Sequence, residues 1–229
     1  MQTLYNKLKH YSIQDAIAFE EADRQFIALK NLWANIDYNP KKYYLALIIA
    51  NALICYQLSG KGEDYWEEFS EYFSSLSPFG GKMSGGQIGG FLSEFIKLSK
   101  GNRRFVETKI KRLEKLRPFL KCFIDREEYY YENMIELRDD LAEVMNQNKV
   151  AKTIVFAVKM FSYGARNVFG KIVYFPSEIC VPVDSRLTNI FEKYRENYTD
   201  INKFYFDLSQ KLGIPELHLD AIIWNNSDL

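Results

Sequence analysis

Residues 149–163 have the sequence KVAKTIVFAVKMFSY, and the pattern of apolar side chains in this stretch indicates the fold. If an α-helix turns by about 100° per residue, the face between about 140° and 240° from Lys152 is wholly apolar. The residues on that face are Ile154, Ala157, Val158 and Phe161. The residues on the opposite stripe are Lys152, Phe156, Lys159 and Tyr163. One wholly apolar face is typical of a helix that is anchored in a core.

The same helical period extends over most of the chain. Residues 45–55, LALIIANALIC, are the most apolar run. They have roughly half the ~20 residues that a membrane span needs, so they predict a buried core helix. Further helical stretches are predicted over 65–73, 91–98, 127–145, 150–163 and 185–225, with one starting at Asn39-Pro40. A turn region is expected over 77–90, and the only, weak, strand candidate is 171–175. The sequence therefore predicts an all-α protein of about ten helices.

Composition excludes several classes of protein. The 229 residues include 30 Lys and Arg and 30 Asp and Glu, so a protein that coats DNA by bulk charge is excluded. Three scattered cysteines and two histidines do not have the spacings of a disulfide framework, a zinc site or an iron–sulfur cluster. Residues 1–11 lack the apolar segment of a secretory signal. We therefore expect an intracellular, cytoplasmic protein that needs no metal or organic cofactor and does not bind membranes.

Basic residues are concentrated in one part of this neutral chain. Residues 97–121 contain ten basic and two acidic residues, a net charge of +8. Such a stretch is either a solvated helix face or a surface that binds phosphates. The second alternative makes Arg103 and Arg104 candidate contacts to a DNA backbone. Lys149, beside the helix of 150–163, is a third candidate contact.

Two further features allow a plain structural interpretation and a chemical one. Lys152 and Lys159 are either surface lysines that extend past aromatic rings, or amines on the wall of a partly apolar cleft, where one of them can act as a nucleophile. Asp184 follows Pro182 and precedes a helical stretch, so it is expected to be an N-cap. An N-cap carboxylate stays ionised, and it can also oppose a positive charge that develops in a reaction.

Several stretches of the sequence resemble those of a known protein family. AKTIVFAVKM (151–160) followed by PVDSRL (182–187) is similar to the lysine-then-aspartate signature of the bifunctional helix-hairpin-helix DNA glycosylases. DRQFIALKNLW (23–33), Trp66, the long insertion over 165–181 and LHLDAIIW (217–224) together resemble the archaeal 8-oxoguanine DNA glycosylase family, AGOG. The hairpin MNQNKVAK (145–152) departs from the common superfamily pattern, because it lacks the glycines that usually face a phosphate.

The resemblance implies a two-lobed all-α fold with the active site in the cleft between the lobes. One lobe would comprise 1–38 and 185–229, and the other 39–184, with the hairpin element over about 127–164. The implied partner is DNA that contains 8-oxoguanine, single- or double-stranded, and we expect a monomer. The implied activity is that of a DNA N-glycosylase with AP-lyase (β-elimination) activity.

The resemblance also implies roles for single residues. Lys152 would be the Schiff-base nucleophile and Asp184 its carboxylate partner. Phe156 and Trp224 would stack on the two faces of the damaged base. The polar edge of the base would be lined by Gln25, Trp66, Lys159 and Asp220. The plain alternatives are an exposed acid for Asp220 and core packing for Trp224.

The chemistry of the substrate fits these residue types. In 8-oxoguanine N7 carries a hydrogen, so a selective pocket needs an acceptor there, and guanine would leave that acceptor unpaired. The side-chain carbonyl of Gln25 is one candidate. Two other classes of protein remain open from the sequence: a DNA-damage-binding module without turnover, and an all-α scaffold for protein partners. Lys152 with Asp184 argues against the first, and the lysine–aromatic stripe argues against the second.

Overall fold

The structure, a computed structural model, describes residues 1–36, 43–75 and 86–229. These residues form helices joined by turns and loops, with no strand among them, so the all-α prediction is confirmed. The helices are α1 (Gln2–Leu8), α2 (Ile13–Ala22), α3 (Arg24–Asn35), α4 (Tyr44–Ile54), α5 (Gly62–Ser75), α6 (Ile88–Leu98), α7 (Val106–Phe123), α8 (Glu127–Glu132), α9 (Met134–Met145), α10 (Lys152–Phe169), α11 (Ser185–Tyr194), α12 (Ile201–Leu212) and α13 (Glu216–Trp224). Asn39-Pro40 and most of the turn region predicted over 77–90 lie outside the described residues.

Helices α4 and α10 form the centre of the molecule. Every residue of α4 is buried, as the apolar run over 45–55 predicts. Gly164 lets α10 approach α4 closely, because a Cβ atom built there would lie 2.4 Å from Cδ1 of Ile48. A larger residue at this position would force the side chains of Ile48 and Leu45 to move, so the glycine allows the close packing of α10 on α4.

The buried apolar residues form two clusters. The larger cluster takes residues from α3 to α10, together with Phe175, Ile179 and Leu217. The smaller one joins α1 and α2 to residues that follow Val181, mainly on α11, α12 and α13. Helix α10 belongs to the larger cluster and α13 mostly to the smaller one, and Lys159 of α10 donates a hydrogen bond to Asp220 of α13 between them.

Several boundaries differ from the sequence-based prediction. The stretch predicted over 127–145 is divided at Asn133, whose amide Nδ2 donates to the carbonyl of Tyr129 at 2.9 Å. Helix α6 begins at Ile88, inside the predicted turn region, and α10 continues beyond Tyr163 to Phe169. Residues 171–175 are not a strand. Local side-chain bonds and packing move these ends by a few residues without changing the type of element.

The hairpin between α9 and α10 turns without a glycine. Asn146 ends α9 in the left-handed region, with φ of 50°, a conformation that asparagine adopts more readily than most residues. Two side chains of α7 hold this turn: Arg112 donates to Gln147 at 2.9 Å, and Lys115 donates to the carbonyl of Met145 at 2.9 Å. Hydrogen bonds from two side chains of α7 therefore stabilise the hairpin.

Most basic residues of the stretch over 97–121 are exposed, and Lys109 is the buried exception. Lys109 is fully buried and donates a hydrogen bond to Asn102. Burial lowers the pKa of Lys109 to about 8. Arg103 and Arg104, in contrast, are exposed. Periodicity did not reveal the buried lysine because its partner, Asn102, lies in a loop outside the helix.

Candidate active site

The stripe of Lys152, Phe156, Lys159 and Tyr163 on α10 runs from the surface into the interior. Lys152 is exposed on the first turn, and Phe156, one turn later, is half-buried. Lys159 and Tyr163 are buried. The interpretation of both lysines as surface residues is therefore wrong for Lys159, while Lys152 has an accessible amine. A single helix thus presents an accessible amine, a partly open ring and a buried ammonium in succession.

The buried ammonium is paired across the two clusters. Nζ of Lys159 lies 2.6 Å from Oδ2 of Asp220 on α13, and both side chains are almost completely buried. The interpretation of Asp220 as an ordinary exposed acid is therefore wrong. Burial disfavours the charge of Lys159, but the adjacent carboxylate holds the pKa of Lys159 above its ordinary value. The pair is charged and joins α10 to α13.

Asp23 is a second carboxylate beside this pair, and the sequence analysis did not identify it. Asp23 is the N-cap of α3, and its Oδ1 accepts a hydrogen bond from the backbone N–H of Gln25 at 2.9 Å. Burial raises the pKa of Asp23, although the charge of Lys159 acts in the opposite direction. The charge of Lys159 therefore acts on two carboxylates, Asp220 and Asp23, and Asp23 is also bonded to the backbone of Gln25.

The side chain of Gln25 lies against a residue without a side chain. A Cβ atom built on Gly62, the first residue of α5, would lie 3.1 Å from Nε2 of Gln25. Such a contact is tighter than ordinary van der Waals packing, so glycine at 62 leaves room for the amide. Trp66 follows one turn later on the same helix, and Gln25 and Trp66 therefore lie at the same end of α5.

Asp184 is the N-cap of α11, as predicted. Its Oδ1 accepts from the backbone N–H of Leu187 at 2.9 Å. The hydroxyl of Tyr205 donates to the carbonyl of the same Leu187 at 2.6 Å. Burial raises the pKa of Tyr205, and the charges of Asp184 and Asp220 add to this effect. Tyr205 is thus close to both carboxylates, one from α11 and one from α13.

The ring of Trp66 lines the region around Phe156. The ring of Trp66 lies 6.4 Å from that of Phe156, centroid to centroid, and Trp66 is fully buried. The thiol of Cys55 lies beside the indole N–H of Trp66, and burial raises the pKa of this thiol to about 12. The thiol is therefore protonated at neutral pH.

Trp224 is the last residue of α13 and is 44% exposed. The interpretation as core packing is therefore wrong. The guanidinium of Arg186 lies 5.1 Å from the centroid of the indole. An aromatic ring that is this exposed, at a helix end and fixed by an arginine, is available to stack on a flat ligand.

Two of these residues carry buried polar atoms that are available to a ligand. Oδ1 of Asp220 is shielded from solvent and has no hydrogen-bond partner, and Nε1 of Trp66 is shielded with only the thiol of Cys55 as a weak acceptor beside it. One atom is an acceptor and the other a donor. A ligand with complementary polar edges would satisfy both atoms.

The three residues predicted to contact a DNA backbone are accessible. Arg103 and Arg104 are exposed and precede α7. Lys149 lies on the α9–α10 hairpin and forms an ion pair of 2.7 Å with Asp139, which a phosphate would have to replace. Among residues 1–36, 43–75 and 86–229, no group of His, Cys, Asp and Glu could hold a metal ion. No helix within those ranges is both long and apolar enough for a membrane span.

Comparison with known proteins gives consistent results. A family model described as AGOG, N-glycosylase/DNA lyase, matches residues 5–228. An N-glycosylase/DNA lyase of Thermococcus kodakarensis is 44% identical over 96% of this chain and 81% of its own length. One of Nanoarchaeum equitans is 42% identical over 95% and 86%, respectively. The crystal structure of the 8-oxoguanine DNA glycosylase Pa-AGOG from Pyrobaculum aerophilum, complexed with 8-oxoguanosine, superimposes with a TM-score of 0.79 at 25% identity, covering 97% of this chain and 85% of that one.

Proposed function

The chain belongs to the AGOG family of N-glycosylase/DNA lyases, and from this premise we propose that it removes 8-oxoguanine from DNA through a Schiff base on Lys152. The observation that carries the proposal is the order of side chains along α10. An accessible amine, Lys152, precedes a partly open ring, Phe156, and a buried charge, Lys159, each about one turn from the next.

The reaction has two steps in this proposal. The neutral amine of Lys152 attacks C1′ of the damaged nucleotide, and the bond to the base breaks as the base leaves with the electron pair and takes up the proton that the attacking nitrogen gives up. The C1′–O4′ bond of the resulting aminal then breaks, O4′ takes up a proton, and the nitrogen lone pair forms the C=N bond of an iminium ion. This ion loses a proton from C2′, and the phosphate on the 3′ side leaves by β-elimination, which cuts the strand. Lysine is suited to this step because a primary amine forms such an imine.

Asp184 is proposed to assist base release by charge. The sugar becomes positive as the base leaves, and an ionised carboxylate stabilises that charge. Asp184 is held by the bond from Leu187 at the mouth of α11, where the helix dipole also favours a negative charge.

The base itself is proposed to leave the stack and lie between Phe156 and Trp224. Enzymes that act on a base must extrude it, and aromatic faces then hold it. The indole N–H of Trp66 and the unpaired Oδ1 of Asp220 supply a donor and an acceptor for its edges. Gln25, opposite Gly62, supplies the candidate acceptor for the hydrogen on N7, and Lys159 lines the same polar edge.

Exposed basic residues are proposed to bind the DNA backbone: Arg103 and Arg104 before α7, and Lys149 on the hairpin. The two lobes, 1–38 with 185–229 and 39–184, would enclose the cleft that receives the extruded base. We further propose that the protein acts as a monomer inside the cell, on single- or double-stranded DNA.

One experiment separates this function from the two alternatives. The protein is incubated with borohydride and a duplex that contains 8-oxoguanine, with an undamaged guanine duplex as the control. A covalent protein–DNA complex on the damaged duplex alone is the expected result. Selective binding without a covalent complex would indicate a damage-binding module, and no selective binding would favour a protein scaffold.

A further inference from the structure

We propose that Arg186 is a positioning residue that fixes Trp224 as the outer wall of the base pocket and ties this wall to the turn that carries Asp184. The inference rests on the proposed function and adds to it a residue that acts through Trp224 without touching the DNA. Arg186 lies two positions after Asp184, on the first turn of α11, and Trp224 ends α13.

The contacts of Arg186 converge on the end of α13. Nη2 of Arg186 donates to the carbonyl of Ile223 at 3.0 Å and to that of Asn226 at 2.8 Å. These two carbonyls flank Trp224 in the sequence. The last carbonyls of a helix have no partner within the helix, and an arginine that binds them stabilises the helix end. The backbone on both sides of the indole is therefore held by one side chain.

The same guanidinium also lies over the indole itself. Its central carbon is 5.1 Å from the centroid of the Trp224 ring. A guanidinium in this position is attracted to the face of a tryptophan. The indole is nevertheless 44% exposed, so surface of the ring remains free for a second flat partner. Arg186 thus orients the ring while leaving it accessible, as a stacking platform requires.

This arrangement connects Asp184 and Trp224, two proposed functional residues that lie far apart in the sequence. Asp184 acts on the sugar and Trp224 acts on the base, and they belong to different helices. Because Arg186 is on the helix that Asp184 caps, its bonds to Ile223 and Asn226 hold α11 and α13 together at the site. Loss of these bonds should free the indole. The rate of 8-oxoguanine release should therefore fall more than the rate of β-elimination at an abasic site, which holds no nucleobase.

The test compares two substrates. Arg186→Met keeps the aliphatic stem but removes the charge and the hydrogen bonds. We expect release of 8-oxoguanine under single-turnover conditions to fall roughly tenfold, within the range that loss of a base–aromatic stack produces. β-Elimination on a duplex with a preformed abasic site should stay within roughly twofold, since that substrate has no base to stack. Arg195→Met, at the other end of α11, is the matched control and should change neither rate by more than roughly twofold.

A double variant tests whether Arg186 acts through Trp224. In a Trp224→Ala background, Arg186→Met should slow base release no further, because the ring it positions is already absent. Equal losses on both substrates, or losses that add in the double variant, would overturn the proposal. Should Arg186→Met fold poorly, Arg186→Lys serves instead, with the same expected difference between the two substrates.

Hydrogen exchange provides a readout that does not depend on the activity. The amides of Asn225 and Asn226 are hydrogen-bonded at the end of α13 and should exchange faster in Arg186→Met than in Arg195→Met. Unchanged exchange at both amides would overturn the positioning role. If the unmodified protein released no base from damaged DNA, the proposed function would fail, while this exchange experiment would still decide whether Arg186 holds the helix end.

Discussion

Lys159 and Asp220 form a buried ion pair, with 2.6 Å between Nζ and Oδ2, that joins α10 to α13. The two residues are 61 positions apart in the sequence and come from different helices. Asp220 uses only Oδ2 in this bond, and Oδ1 is left without a partner. The same carboxylate is therefore both a structural contact and an available acceptor at the candidate site.

The first prediction concerns the stability that this pair contributes. Asp220→Asn removes the main counter-charge of a buried ammonium and should lower the free energy of unfolding by about 3–5 kcal/mol. Asp220→Asn combined with Lys159→Met should be more stable than Asp220→Asn alone, because no unpaired charge remains. Urea denaturation measures both. A loss under about 1 kcal/mol for Asp220→Asn would mean that Asp23 or solvent compensates Lys159.

The second prediction distinguishes the two lysines of α10. Lys152→Gln should abolish borohydride trapping and strand cleavage, yet leave binding to damaged DNA largely intact. Lys159→Gln should weaken recognition of the base, with trapping still detectable at high enzyme concentration. The two lysines are roughly 10 Å apart along the helix axis, so only one can reach C1′ of a base held against Phe156. The opposite pattern of trapping would show that Lys159 is the nucleophile.

The third prediction separates the two roles of Asp184. Asp184→Asn should keep the N-cap, because asparagine caps helices about as well as aspartate. It should nevertheless slow base release by roughly 10²-fold or more, since the negative charge opposite the sugar is lost. The thermal midpoint and the single-turnover rate are measured on the same preparation. A drop in the midpoint that accounts for the lost activity would leave Asp184 with a structural role only.

The fourth prediction concerns the DNA backbone. Reversing the charge of Arg103 and Arg104 together should weaken binding to damaged and undamaged duplexes alike. It should also flatten the log–log dependence of affinity on salt by about 0.9 for each phosphate contact removed. Charge reversal at Lys193 and Arg195, an exposed pair outside the basic stretch, is the control. If both double variants keep the salt slope of the unmodified protein, the loop before α7 does not touch phosphate.

The fifth prediction is a dependence of stability on pH. Glu216 is buried at the start of α13, its Oε2 accepts from the backbone N–H of Val181 at 3.0 Å, and burial raises the pKa of Glu216 to about 7. A carboxyl group whose pKa is higher in the folded state binds its proton more tightly there. Stability from this group is therefore greatest below the unfolded pKa and falls as the pH rises through about 7.

The measurement compares unfolding free energies at pH 5 and pH 8. The unmodified protein should lose up to about 3 kcal/mol from this group between the two. Glu216→Gln keeps an acceptor for Val181 but cannot ionise, so it should lose correspondingly less. Identical pH profiles for the two proteins would show that Glu216 remains ionised throughout.

The helices could be derived from the sequence because helical periodicity is a local property. The apolar face of residues 154–161 and the apolar run over 45–55 predict α10 and α4, and both are buried as expected. The N-cap role of Asp184 also follows from its neighbours in the chain. Each of these features depends on residues within one or two helical turns, so a linear sequence is sufficient.

The sequence by itself thus determined the helical class and most of the elements, and its resemblance to a family suggested the residues of the candidate site. Only the tertiary structure decided which of them are buried and what they contact. Lys159 is paired with Asp220, Lys109 is buried beside Asn102, and Arg186 holds the end of α13. Each contact joins residues of different elements, and the helical periodicity of the sequence does not relate one element to another. A side chain's burial and charge depend on the atoms that packing brings around it, and packing combines distant parts of the chain.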